Sequence, residues 1–155
     1  MLRDLFGGAM SIDLPTRMAD ISLLRQVPDH QEVFADAQTD ESVIVEILES
    51  VDHVSGIEAI KYHYQQVCEL NSSSSELITY TGPLDSMPGN REMFLLCGQQ
   101  EAAKFNERSR QGELAQNTVA VYMALVRLPE HKTDILITMN TPTRIGALRP
   151  PKQQQ

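Results

Sequence analysis

The stretch Gln31–Val51, QEVFADAQTDESVIVEILESV, decides the fold. Gln31 to Asp36 and Ser42 to Val51 have strand composition, and the polar run Ala37-Gln38-Thr39-Asp40-Glu41 between them is a loop. A β-hairpin follows. In its second strand Val43, Val45 and Ile47 point one way, while Ile44 and Leu48 point the other with Glu46 between them. Apolar groups on both faces belong to a strand covered on both sides, so helices are expected to flank the sheet.

Working outward toward the N-terminus, Pro28-Asp29-His30 is turn chemistry leading into the hairpin. Asp20 precedes ISLLRQV and is placed to accept backbone N–H groups as the cap of a short helix that Pro28 stops. Before that, Leu5 to Leu14 begins with the Gly7-Gly8 pair, suited to a sharp turn, and continues as a short strand ending at Pro15. On the C-terminal side, Ser55-Gly56-Ile57-Glu58 has the capping-box pattern and opens a helix to about Leu70. Its buried stripe is Ile57, Ile60, Tyr64, Val67 and Cys68, leaving Lys61, His63 and Gln65 outside.

Asn71 and Ser72 to Ser75 are expected as loop, Glu76 to Thr81 as strand, and the Gly82-Pro83 and Met87-Pro88-Gly89-Asn90 signals as a connection to a strand over Arg91 to Gly98. Gln99 to Asn117 has good helix formers but few apolar anchors and fits no single assignment. Thr118 to Leu128 and Asp134 to Asn140 form a second hairpin around Pro129–Lys132, and the tail from 143 to 155 is expected to lack regular structure. The sum is one α+β domain over residues 1–142: a largely antiparallel β-sheet of about six strands flanked by helices.

Charge is concentrated. Asp20 to Glu49 carries eight carboxylates against Arg25, a formal −7 of the −8 of the whole chain. Clustered acid of this kind excludes direct nucleic-acid binding as an expectation, because phosphate recognition needs clustered Lys and Arg, and it suits a basic protein partner. No apolar run reaches the roughly 20 residues that span a bilayer, so membrane insertion is not expected either. The sequence has no phosphate loop, no G-x-S-x-G, and no Cys/His spacing for zinc; covalent chemistry and a cofactor are not expected. Cys68 and Cys97 are read as reduced core thiols. From residues alone, the acidic stretch is equally a solvated face or a docking surface.

Four blocks carry a family resemblance: LFGGAMS at Leu5 to Ser11, DISLLRQVPDHQEVF at Asp20 to Phe34, TDESVIVEILE at Thr39 to Glu49, and ALVRLPEHKTDILITMNTP at Ala124 to Pro142. Together they resemble the Ran guanine nucleotide release factors, the MOG-type nuclear import factors. The resemblance implies an antiparallel sheet flanked by helices, similar to the fold of the photosystem II extrinsic oxygen-evolving subunit. It also implies binding to the small GTPase Ran, release of its guanine nucleotide without covalent chemistry, and work in the nucleus and cytoplasm. A voltage-gated sodium channel is implied as a further client by a vertebrate relative. The Ran-binding positions it implies match Asp20, Asp29 and Glu32, with Asp40 and Glu41 nearby; His30 stands where the family more often has Asn. Family members continue past the last hairpin where this chain has PPKQQQ, which leads one to expect an uncovered sheet edge or face.

Overall fold

A computed structural model describes residues 1–51, 53–71, 73–87, 91–103 and 116–145. Seven strands form one antiparallel sheet in the order β3-β4-β5-β9-β8-β7-β6, and β1 and β2 form a separate two-stranded hairpin. The strands are β1 (Leu2–Leu5), β2 (Met10–Asp13), β3 (Ala19–Asp20), β4 (Gln31–Ala35), β5 (Ser42–Glu49), β6 (Ser73–Met87), β7 (Arg91–Ala103), β8 (Gln116–Leu128) and β9 (Thr133–Ile145), with the helix α1 (Gly56–Leu70) between β5 and β6. The main sheet thus has one strand more than expected.

The β4–β5 hairpin forms where the alternation placed it, with Val33 opposite Ile44 and Phe34 opposite Val43. β5 is not an edge: its other side pairs with β9 from Ser42↔Asn140 to Glu49↔Thr133. Both faces of the sheet are covered, though by different devices. On one face α1 packs Ala59, Ile60, Tyr64 and Cys68 against Leu96, Val121, Met123, Leu125 and Leu136. On the other, Leu5, Leu14 and Met18 from the N-terminal segment close over Phe34, Val43, Val45, Val126 and Ile135. Among the described residues α1 is therefore the one flanking α-helix, and the N-terminal hairpin takes the role expected of a second.

That hairpin turns through Phe6–Gly8, where Phe6, Gly7 and Gly8 have φ of +49°, +71° and +95°. Two consecutive glycines supply a backbone path that side chains disfavour. The glycine turn and the short strand after it, β2, lie where the sequence places them, and β1, before the turn, is a further strand that pairs with β2. The ISLLRQV segment is shorter than expected as helix: one 3-10 turn, Ile21–Leu23.

Helix α1 starts at the expected cap, Ser55 Oγ accepting from the Glu58 amide at 3.2 Å, and ends at Leu70. His63 departs from expectation, being 6% exposed rather than outside. The remaining differences concern strand length. β6 begins at Ser73, within the expected loop, and runs through Gly82-Pro83 to Met87. Proline is tolerated there because β6 is an edge strand, one side of whose backbone has no ladder partner among the described residues. β7 continues past Gly98 to Ala103, so Gln99 to Ala103 of the ambiguous stretch is strand, while 104–115 lies outside the described residues. β9 reaches Ile145, beyond the expected start of the tail at 143; residues 146–155 lie outside the described residues.

Candidate functional site

The five carboxylates singled out in the sequence do not form one cluster. Asp20 ends β3 and caps the following turn, its Oδ1 accepting from the Ser22 amide at 2.9 Å and the Ser22 hydroxyl at 2.7 Å. Glu32, on the face of β4 turned to the N-terminal hairpin, accepts from the Phe6 amide at 2.8 Å and so ties the glycine turn to the sheet. Glu41 sits 2.7 Å from Arg17 Nη1, which also lies 2.7 Å from Asp36. Asp40 is exposed at the tip of the β4–β5 loop with φ +64°, and Asp29 is exposed in the turn closed by the Gln31 amide on the Pro28 carbonyl at 3.0 Å.

Asp36 is buried, although it lies in an acidic run. The Gln38 amide and then the Arg17 guanidinium hold its carboxyl below the usual carboxylate range, with Thr39 Oγ1 adding a third donor. Arg17 thus offsets one of the three negative charges on this loop, those of Asp36, Asp40 and Glu41.

Register separates the two ends of the hairpin. Asp29 lies where β4 begins, beside the C-terminal half of β5, because the His30 carbonyl accepts from the Ile47 amide at 3.0 Å and Gln31 pairs with Glu46. Asp40 and Glu41 lie at the opposite end, a span of about 20 Å at strand rise. The Asp29 end adjoins a groove of about 720 Å³ between α1 and β5, whose apolar floor includes Leu48, Val67 and Leu136. Glu46, Glu49 and Glu58 also line it. Glu46 accepts from Gln31 Nε2 at 2.8 Å, whereas Glu49 and Glu58 are exposed and have no ion pair among the described residues.

Below the groove a buried charge network fixes its walls. Asp134, fully buried, lies 3.3 Å from His63 Nε2 and accepts from Arg127 Nε at 3.4 Å and the Val51 amide at 3.3 Å. Arg127 also donates to the Val51 and Val54 carbonyls. A buried carboxylate is tolerated only with such partners, and these hold Val51, Val54 and α1 against β8 and β9. Sequence reading missed Glu49 and Glu58 as a pair, and also His63. Spacing carried a signal for His63, which stands four residues after Ala59 and three after Ile60, on the same helical face.

The groove combines an apolar floor with acidic side chains at its border, and among the described residues no cluster of three or more His, Cys, Asp or Glu is arranged to hold a metal ion. Residues 3–142 match the family described as Ran-interacting Mog1 protein. The chain belongs to the Mog1 family. It is 41% identical over 155 residues to the Ran guanine nucleotide release factor of Danio rerio, covering 96% of this chain and 81% of the relative. It is 32% identical to the nuclear import protein mog1 of Schizosaccharomyces pombe, covering 89% and 75%. The crystal structure of the Saccharomyces cerevisiae Ran-binding protein Mog1p superposes with a TM-score of 0.72 at 29% identity, covering 92% of this chain and 76% of that one. Cyanobacterial PsbP from Synechocystis superposes with a TM-score of 0.58 at 11% identity, a likeness of fold alone and in keeping with the expected extrinsic-subunit architecture. The antiparallel sheet with its single described helix is therefore the Mog1 fold.

Proposed function

We propose that this Mog1-family chain binds Ran, promotes release of its guanine nucleotide, and thereby supports nuclear import, moving between nucleus and cytoplasm. What supports this surface is that exposed Glu49 and Glu58 line an apolar groove at the end of the β4–β5 hairpin where exposed Asp29 precedes β4. Carboxylates so placed meet basic side chains of a GTPase near its nucleotide and compete with phosphate for them. A factor that holds the nucleotide-free form more tightly than the loaded form weakens nucleotide affinity by the same factor, so no covalent step is needed.

Of the family-implied positions, Asp29 is both exposed and uncommitted, and it is the first to test. Asp20, Glu32 and Glu41 each hold an intramolecular partner, so their substitution mixes surface and scaffold effects. The experiment follows release of a fluorescent guanine nucleotide from loaded Ran as the protein is added. Wild type accelerates release in proportion to complex formed, and Asp29→Lys and Glu49→Lys each lower affinity by roughly tenfold or more, as expected for reversing a charge in an interface. Normal activity of both variants would move the interface elsewhere. No acceleration by wild type, together with binding to a basic cytoplasmic loop of a voltage-gated sodium channel, would favour an adaptor instead.

A further inference from the structure

Between Asp20 and Asp29 the chain leaves the sheet edge and presents two adjacent leucines to solvent. Leu23 is 82% exposed and Leu24 77%. Single exposed apolar residues are ordinary, but these two stand together on an ordered turn. The Leu24 and Arg25 amides donate to the Ile21 carbonyl at 2.8 and 3.1 Å, and Asp20 accepts from Ser22 at the start of the turn. Half-buried Ile21 and Val27 root the segment at either side. Holding this turn costs backbone entropy that the two leucines do not offset by burial within the chain.

The surroundings limit what can cover them. Asp29 is exposed on the same segment, with Glu46 and Glu49 across the start of β4, and Arg25 is the one cation in the acidic stretch. Interfaces place apolar anchors at the centre and charges at the rim, so the fitting surface has an apolar pocket bordered by Lys or Arg. Anionic lipid headgroups would be repelled by this rim. Building on the Ran reading above, we propose that Leu23 and Leu24 are the apolar anchor of the same interface, entering a basic-rimmed pocket on the GTPase. Asp20 is a positioning residue that pre-orders the anchor through its cap. This gives the carboxylate a part in binding without direct contact.

The test measures association and dissociation of the full chain with nucleotide-free Ran for Leu23→Ser/Leu24→Ser, Asp20→Ala, Asp20→Asn and Asp29→Lys. The double leucine variant keeps the wild-type melting temperature, because both side chains are exposed, and dissociates roughly tenfold faster or more. Its association rate and salt dependence stay as in wild type, which separates loss of an anchor from loss of charge. Asp20→Ala weakens binding and Asp20→Asn, still a cap, restores it. Binding of the double variant within about twofold of wild type, with Asp29→Lys impaired, overturns the anchor and leaves the Ran reading standing. Absence of any wild-type complex overturns both. Loss of binding to phosphatidylcholine–phosphatidylserine vesicles by the double variant, with Ran affinity kept, overturns the anchor in favour of a lipid contact.

Discussion

At the scale of single residues, the acidic stretch divides into carboxylates that serve the fold and carboxylates left for a partner. Asp36 is the clearest of the first kind, gripped by the Gln38 amide, Arg17 and Thr39. Its carboxyl is held below the ordinary value of 3.8, so its stabilising effect is fully present above that pH and is lost as pH falls through the lower folded value. Asp36→Asn is therefore expected to be less stable than wild type at neutral pH, with the two denaturation midpoints converging as the solution is taken below about pH 4. Urea titrations across that range test it, and a constant difference at all pH values would mean that shape and not charge is at stake. Cys68 shows burial acting the other way: desolvation, then the neighbouring Glu76 charge, pushes its thiol up to about 11, as suits a core side chain rather than a nucleophile.

At the scale of elements, close approach decides what the helix tolerates. An added Cβ at Gly56 would fall 2.0 Å from the Phe94 ring, and one at Gly98 would fall 2.6 Å from the Tyr64 hydroxyl and 2.9 Å from the Leu77 carbonyl. Gly56→Ala meets a side chain that can turn aside, whereas Gly98→Ala meets backbone as well. Both are expected to destabilise, by about 1–3 kcal/mol, with Gly98→Ala the worse in chemical denaturation. These contacts also explain which elements were legible in the sequence. The β4–β5 and β8–β9 hairpins and the Ser55 cap rest on local signals, alternation and turn chemistry within a few residues, and they appear where the sequence places them. Pro83 in β6 and Gly98 in β7 are local stop signals overruled by tertiary position, an edge in one case and a seat for Tyr64 in the other. Leu2–Leu5 is too short to announce itself and is a strand because β2 folds back on it. The site divides similarly. The Asp20 cap was legible, while His63–Asp134 joins residues 71 apart in sequence, and Glu49 and Glu58 line one groove only because α1 returns over β5.

At the scale of the molecule, folding turns one run of charge into two poles. Asp29, Glu46 and Glu49 lie at the groove end of the β4–β5 hairpin, and Asp36, Asp40 and Glu41 at the other, where Arg17 offsets part of the charge. The poles are separated by about 20 Å, and this distance sets a test. Screening acts over about 8 Å at physiological ionic strength but about 30 Å at 0.01 M. A basic partner docking at the groove end thus feels both poles in low salt and the near pole alone in physiological salt. Asp29→Lys is expected to slow association with Ran at either ionic strength. Asp40→Lys is expected to slow it in low salt and to match wild type near 0.15 M, a difference that stopped-flow association rates resolve directly. Equal sensitivity of the two variants at 0.15 M would place the partner over the whole hairpin, and greater sensitivity of Asp40→Lys would place it at the far pole, away from the groove.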